Sequence, residues 1–95
     1  MIYELEFLDE ALKEWKKLGF NVREQFKKKL KQRLTNPKIV TSKLSGSSNR
    51  YKIKLRAAGY RLVYEDKEEI ITVVVIAVGK RERNQVYKLA TKRLS

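Results

Sequence analysis

Lys52, Lys54 and Arg61 are spaced to hold a phosphate, and Arg81 and Tyr87 are spaced to act on one. Residues Arg50 to Arg56 alternate, so Tyr51, Ile53 and Leu55 share one strand face while Lys52, Lys54 and Arg56 share the other. A two-residue turn at Ala57-Ala58 pairs Arg56 with Gly59, which sets Arg61 directly across from Lys54 and diagonal to Lys52. Like charges facing each other across a ladder cost about 0.2 to 1 kcal/mol per pair. Local stability therefore does not explain them, whereas a bound anion does. The competing reading is a solvated sheet face whose lysines guard an edge. A second basic cluster, Lys80-Arg81-Glu82-Arg83, weakens that reading. Tyr87 follows Arg81 by six residues, about 9 Å if the segment is helical, near enough for both side chains to reach one phosphate. Taken alone, Tyr87 reads as a packing residue at a helix edge.

The chain has no His and no Cys, which removes thiol nucleophiles, disulfides and Cys-based metal sites. RNA cleavage through the 2′-hydroxyl suits what remains. It needs a base at the 2′-oxygen, an acid at the 5′-oxygen and cations around phosphorus, and it needs no metal. Without His, a Tyr hydroxyl is the available base. An unperturbed phenol is ionised only about 0.1% at pH 7, and neighbouring cations favour the phenolate, Lys54 being best placed to do so. A guanidinium holds its proton above about pH 12, so positioning and charge stabilisation must supply much of the rate, and the free enzyme is expected to be weak. A surface that orients the RNA could supply about 7 to 11 kcal/mol of what is missing.

Net charge of +12 over 95 residues, with a pI near 10.1, fits a nucleic-acid partner or an acidic protein. Between Gln25 and Tyr64 stand twelve Lys or Arg and no acidic residue. The length fits one domain, residues 1–95. The N-terminus lacks the basic region and long apolar run of a signal peptide, and no apolar stretch approaches the ~20 residues of a membrane span, so a cytoplasmic protein with no membrane partner is expected. Glu65, Asp66, Glu68 and Glu69 read as a solubilising turn without cation-ligand spacing. Neither a metal nor a cofactor is expected.

Several elements must position these groups. Ile2 to Phe7 alternates as a half-buried strand. Leu8, Leu12, Trp15 and Leu18 recur at helical spacing, with Asp9 and Glu10 in the first turn and Gly19 at the stop. Asn21 to Glu24 resembles a capping box opening a second helix through Leu34, which Asn36-Pro37 ends, and the two helices are expected to lie antiparallel. The basic run Lys27 to Arg33 on that helix is a solvated face or an electrostatic support. Thr41 to Asn49 is a loop. Strands follow at Arg50–Arg56, Gly59–Glu65 and Ile70–Val78, the last a β-branched run suited to a sheet centre. A final helix is predicted over Glu82–Leu94, with Val86, Leu89, Ala90 and Arg93 on or near one stripe.

Lys43-Leu44-x-Gly46, Tyr51 to Arg56, Gly59 to Tyr64 and Val78 to Arg83 with Tyr87 resemble the RelE toxin family, and the likeness runs end to end, through Ala11 to Trp15 and Val22 to Gln25. That resemblance implies a toxin of a type II toxin–antitoxin system, a metal-independent endoribonuclease that cuts mRNA in the A site of the 70S ribosome, beside 16S rRNA. It implies Tyr87 as general base and Arg81 as general acid, Lys52 and Arg61 as stabilisers of charge at the scissile phosphate, and Lys54 as both stabiliser and activator of the tyrosine. A RelB-like antitoxin is the implied inhibitor, displacing the final helix and carrying Tyr87 away. Operator DNA is implied only through the antitoxin complex. YoeB and HigB relatives use a His, so its absence favours the RelE branch. Ser45 departs from the pattern, since a basic residue stands there in a close relative, and ribosome contact at that loop is expected to differ.

The expected fold class is α/β (α+β): a small antiparallel sheet with the N-terminal strand added, an N-terminal helical pair packed on one face and a C-terminal helix, a RelE-like microbial RNase architecture. The other face is expected to be a basic concave groove. A non-catalytic RNA- or DNA-binding module remains the alternative. Such a module would carry stacking aromatics between its cations, whereas Tyr51 and Tyr60 alternate to the inward side.

Overall fold

A four-stranded sheet in the order β1-β4-β3-β2 organises the protein, for which the computed structural model describes residues 2–93. At its centre lies β4 (Thr72–Lys80), whose Val73 to Val78 run is buried on both faces, as a continuous β-branched stretch requires. β3 (Tyr60–Lys67) pairs antiparallel with β4, and β2 (Arg50–Leu55) antiparallel with β3. β1 (Glu4–Phe7) lies parallel to β4 at the opposite edge, so the N-terminal strand joins the sheet as expected.

The helices α1 (Asp9–Lys16) and α2 (Phe20–Thr35) cover one face. Ala11, Trp15, Phe26 and Leu30 pack there on the inward residues Tyr51, Ile53, Leu62, Tyr64 and Val75. The two helices meet through Trp15 and Phe26, whose ring centroids stand 6.3 Å apart. The final helix, α3 (Gln85–Lys92), packs Val86 and Ala90 against Val63, Val74, Ile76 and Ala77. The other face is therefore not a bare groove, because α3 covers the part over β3 and β4 and leaves the β2 side open. A β-bulge makes this fit: Val63 pairs with Ala77 but Tyr64 with Val75, leaving Ile76 unpaired. The shift by one residue brings Ile76 and Ala77 into the same core beneath α3.

Local signals misplaced three features. α1 is closed not by Gly19 but by tight bonds from Lys17 N to Glu14 O and Leu18 N to Trp15 O. Gly19 has φ −63° and instead opens α2, its carbonyl accepting from Arg23 N at 3.0 Å. The expected capping residue Asn21 is thus the second residue of the helix, and among the described residues no side chain caps α2. Glu65 and Asp66 are not a solubilising turn: β3 runs through them and buries both. Glu65 pairs with Arg50 at 3.0 Å, and Asp66 with Lys38 at 2.9 Å. The chain turns later, at Glu68–Ile70, followed by Ile71 in the left-handed region at φ 50°. α3 is shorter than expected, and Leu94 lies outside the described residues. Among the described residues no helix is long and apolar enough to cross a membrane.

Beneath β2, the fully buried Tyr64 hydroxyl donates to Pro37 O at 2.7 Å and accepts from Arg33 Nη1 at 3.0 Å. Burial pushes this phenol above its ordinary value, with Arg33 pulling the other way. Arg33 also donates to Ser42 Oγ and to Lys52 O, so Tyr64 braces the strand that carries the groove lysines. Tyr64→Phe leaves Pro37 O and one Arg33 donor without that partner. Urea denaturation is expected to show a loss of about 1–3 kcal/mol, and an unchanged midpoint would refute the bracing.

Candidate active site: a cationic groove closed by a phenol

The β2–β3 register sets Lys54 opposite Arg61, as the alternation predicts. The connection is a four-residue loop, not a two-residue turn. It spans Arg56 to Gly59, is closed by Gly59 N to Leu55 O at 2.8 Å, and has Gly59 at φ 72°, where a side chain would be strained. The loop spans the same two positions that the ladder would have paired, so the register survives. Across the sheet, Arg61 pairs with Gly79. Glycine there lets α3 pack closely on β4, since an added Cβ would sit 3.4 Å from Val86 Cγ2.

Arg81 arrives by a different route from the one expected. The segment after β4 is not helical: Arg81 N donates to Gly59 O at 2.7 Å, and Arg83 and Asn84 both take positive φ, 47° and 59°. That reversal folds α3 back over the sheet. Arg81 and Tyr87 then line one pocket of about 110 Å³ together with Lys54, Arg61, Lys80 and Gln85. A second cleft of about 350 Å³, lined by Arg33, Thr41, Ser42, Lys52, Lys54 and Arg56, adjoins it and shares Lys54. Four of the five candidate residues thus share the smaller pocket, and Lys52 borders the larger one. Its Nζ lies 6.0 Å from the Tyr87 ring centroid, so Lys52, more than Lys54, is the cation seen over the phenol ring.

Two features of this pocket are unfavourable to the free protein. Arg61 is only 7% exposed and donates to Tyr60 O at 2.9 Å, yet among the described residues no carboxylate pairs with it. The Tyr87 hydroxyl oxygen is buried and, among the described residues, has no hydrogen-bond partner. Buried polar groups are normally satisfied, so the pocket, which Glu82 also lines, brings together a guanidinium without an ion-pair partner and an idle phenol. Crowding of charge is visible in Lys54, whose ammonium is held below the usual lysine value, chiefly by Lys52, then by desolvation, Arg56 and Arg61.

This repulsion opposes folding while both lysines are charged. Because the folded value lies below the unfolded one, the penalty is released as pH rises through the window beneath the ordinary lysine value. Lys52→Met removes the first cause. NMR titration is expected to show Lys54 moving up towards the usual lysine range, and an unmoved curve would disprove the coupling.

The basic run of α2 contributes little to either cleft apart from Arg33. Lys27, Lys28, Lys29 and Lys31 are exposed, and Lys27 pairs with Glu24 at 3.1 Å. Trp15 is a core residue, as its spacing indicates. Tyr51 and Tyr60 face inward, Tyr51 stacking on Tyr64 at 5.6 Å, so Tyr87 is the aromatic among the residues lining the two clefts. Among the described residues no cluster of three or more potential metal ligands occurs. Sequence reasoning grouped Arg33 with the basic run of α2 without placing it behind Lys52, and it missed the roles of Arg50, which reaches the end of α3, and of Arg93, which ties that end to β4.

Comparison with known proteins bears on this geometry. A family model described as the ParE toxin of type II toxin-antitoxin systems matches residues 5–85. Over 94 residues, 99% of each chain, this sequence is 56% identical to the mRNA interferase toxin RelE of Escherichia coli strain K12. The structure of a double arginine-to-alanine mutant of E. coli RelE in the free state superposes with a TM-score of 0.92 at 54% identity, covering all of both chains. The intact E. coli RelBE toxin-antitoxin complex contains a chain matching 85% of this one, and 99% of its own length, with a TM-score of 0.82 at 57% identity.

Proposed function

Because this chain belongs to the RelE toxins of the ParE toxin family, we propose that it is the toxin of a type II toxin–antitoxin system and an mRNA endonuclease that acts on the ribosome. The observation that carries the chemistry is the meeting, in one small pocket, of a buried guanidinium without an ion-paired carboxylate and a phenol without a hydrogen-bond partner among the described residues. A phosphodiester answers both. Its nonbridging oxygens meet Arg61, Lys54 and Lys52, while the adjacent 2′-hydroxyl meets Tyr87.

Tyr87, as phenolate, takes the 2′-hydroxyl proton. The 2′-oxygen bonds to phosphorus, the bond to the 5′-oxygen breaks, and that oxygen receives a proton from Arg81. The products are a 2′,3′-cyclic phosphate and a 5′-hydroxyl, and atoms and charge balance without a metal ion. Lys52, Lys54 and Arg61 stabilise the extra charge on phosphorus. The Tyr87 hydroxyl is buried in the free protein, so substrate engages it through a local rearrangement of the pocket. The adjoining cleft, with Arg33 and Arg56, extends the groove for the flanking backbone. The ribosomal A site supplies the orientation that a small pocket cannot, with 16S rRNA around it, and the cytoplasm is the compartment where this substrate occurs.

A RelB-like antitoxin is the proposed inhibitor, acting by lifting α3 and with it Tyr87, and operator DNA is reached only through that complex. Residues 1–95 act as one toxin domain. A purely binding role is disfavoured because the groove's cations are not interleaved with stacking rings.

The test is primer extension on translating ribosomes with messages carrying a single 2′-deoxynucleotide at the A-site cut. Cleavage within codons of the unmodified message is expected, with none at the deoxy position and little on free RNA. Sulfur substituted at the scissile phosphate should give no manganese rescue. Cutting at the 2′-deoxy position would exclude this chemistry, and equal cutting of free RNA would exclude the ribosome requirement.

A further inference from the structure

Helix α3 carries Tyr87 and packs on the sheet through Val86 and Ala90, but among the described residues the side-chain hydrogen bonds that tie it to other elements lie at its C-terminal end. It has eight residues, too few to be stable in isolation, and its entry is strained by the consecutive left-handed residues Arg83 and Asn84. Among the described residues no side chain caps its N-terminus. Its opposite end is bound by two arginines. Arg50, the first residue of β2, donates to Ala90 O and, at 2.6 Å, to Arg93 O, carbonyls left without intrahelical partners at a helix C-terminus. Its Nε is fixed by Glu65 at 3.0 Å. Arg93 donates to Ile76 O at 3.0 Å and grips both oxygens of Glu14, each at 2.9 Å. Glu14 Oε1 also accepts from Val78 N at 3.2 Å.

From this asymmetry we infer that Arg50 and Arg93, oriented by Glu65 and Glu14, are positioning residues that hold Tyr87 over Lys52 and the pocket. Neither arginine lines the two clefts, so neither touches substrate. Arg50 couples α3 to the strand that bears Lys52 and Lys54, and Arg93 couples it to β4 and α1. Tyr87 stands three residues before Ala90, and Thr91 Oγ1 donates to Tyr87 O at 3.0 Å. Loosening the last turn therefore moves the phenol relative to Lys52 while leaving both clefts' cations in place. Bidentate geometry is essential to the clamp, and lysine cannot reproduce it.

The catalytic half of this inference rests on the nuclease reading, so the test has an arm that does not. Glu14→Gln, which weakens the hold on Arg93 without emptying a core site, is compared with Arg50→Lys. In the free toxin, amide exchange at residues 86–92 is expected to quicken by about tenfold or more in both variants while β3 and β4 keep their protection. The ring-current shift of the Lys52 side-chain protons under Tyr87 should shrink. On ribosomes, kcat should fall by about tenfold to a hundredfold with KM unchanged. Unchanged exchange and shifts in the single variants would overturn the clamp whatever the activity. Altered signals with intact kcat, or with KM alone affected, would overturn its role in positioning the base. Absence of cleavage by the wild type would refute the nuclease reading and leave the structural arm to decide the clamp.

Discussion

Tyr87→Phe is expected to slow A-site cleavage by about 10²- to 10⁴-fold, the usual contribution of a positioned acid or base, and at the same time to raise the stability of the free protein. The two signs come from one atom. In the free toxin the Tyr87 oxygen is buried with no partner among the described residues, and an unsatisfied buried hydroxyl costs about 1–3 kcal/mol. Phenylalanine removes that cost while preserving the ring that lies 6.0 Å from Lys52 Nζ. The helix should therefore stay docked, and the loss of rate cannot be blamed on a displaced α3. Single-turnover cleavage on programmed ribosomes and thermal melting of the free protein measure the two sides. Undiminished cutting would remove the phenol from proton transfer. A lower melting temperature would show that the hydroxyl has a structural partner after all.

How far the sequence revealed this site depends on the range of the interaction. The Lys54–Arg61 pairing was legible because strand alternation and a short connection set parity and register together, and the error in loop length left the register unchanged. The central position of β4 was legible for the same local reason, an unbroken β-branched run. Arg50 was not separable from Lys52 and Lys54, since it shares their alternation. Only the return of α3, forty residues later, makes it a helix cap rather than a groove cation. Arg93 was placed on or near the stripe of the last helix, but its partner Glu14 is 79 residues away, on α1. Glu65 and Asp66 misled because carboxylates near a turn usually face water, and their pairing with Arg50 and Lys38 is visible only in three dimensions. The bare groove failed likewise: the left-handed pair Arg83-Asn84, neither of them glycine, folds α3 onto a face that alternation alone left open.

Arg61→Met gives the second large separation of activity from stability. Arg61 stands opposite Lys54 in the ladder, is 7% exposed, and has no carboxylate partner among the described residues. A desolvated charge in that setting is held against its own hydration and against its neighbours, and replacing buried ionic groups with apolar ones of similar size often stabilises by about 1–4 kcal/mol. Methionine keeps an unbranched apolar stem of similar length opposite Gly79. At the lower end of that range the melting temperature should rise by about 4–8 °C in a domain of this size. Cleavage should fall by about 10²- to 10³-fold, as for loss of one preorganised donor to a developing oxyanion, with substrate in excess so that weaker binding does not masquerade as slower chemistry. Arg61 is also among the causes that hold Lys54 down, so the Lys54 titration should shift up in the same variant, by less than in Lys52→Met because Lys52 is the larger cause. A protein that melts earlier would mean the guanidinium braces the fold, and the cation would then be a structural group rather than one held in readiness for phosphate.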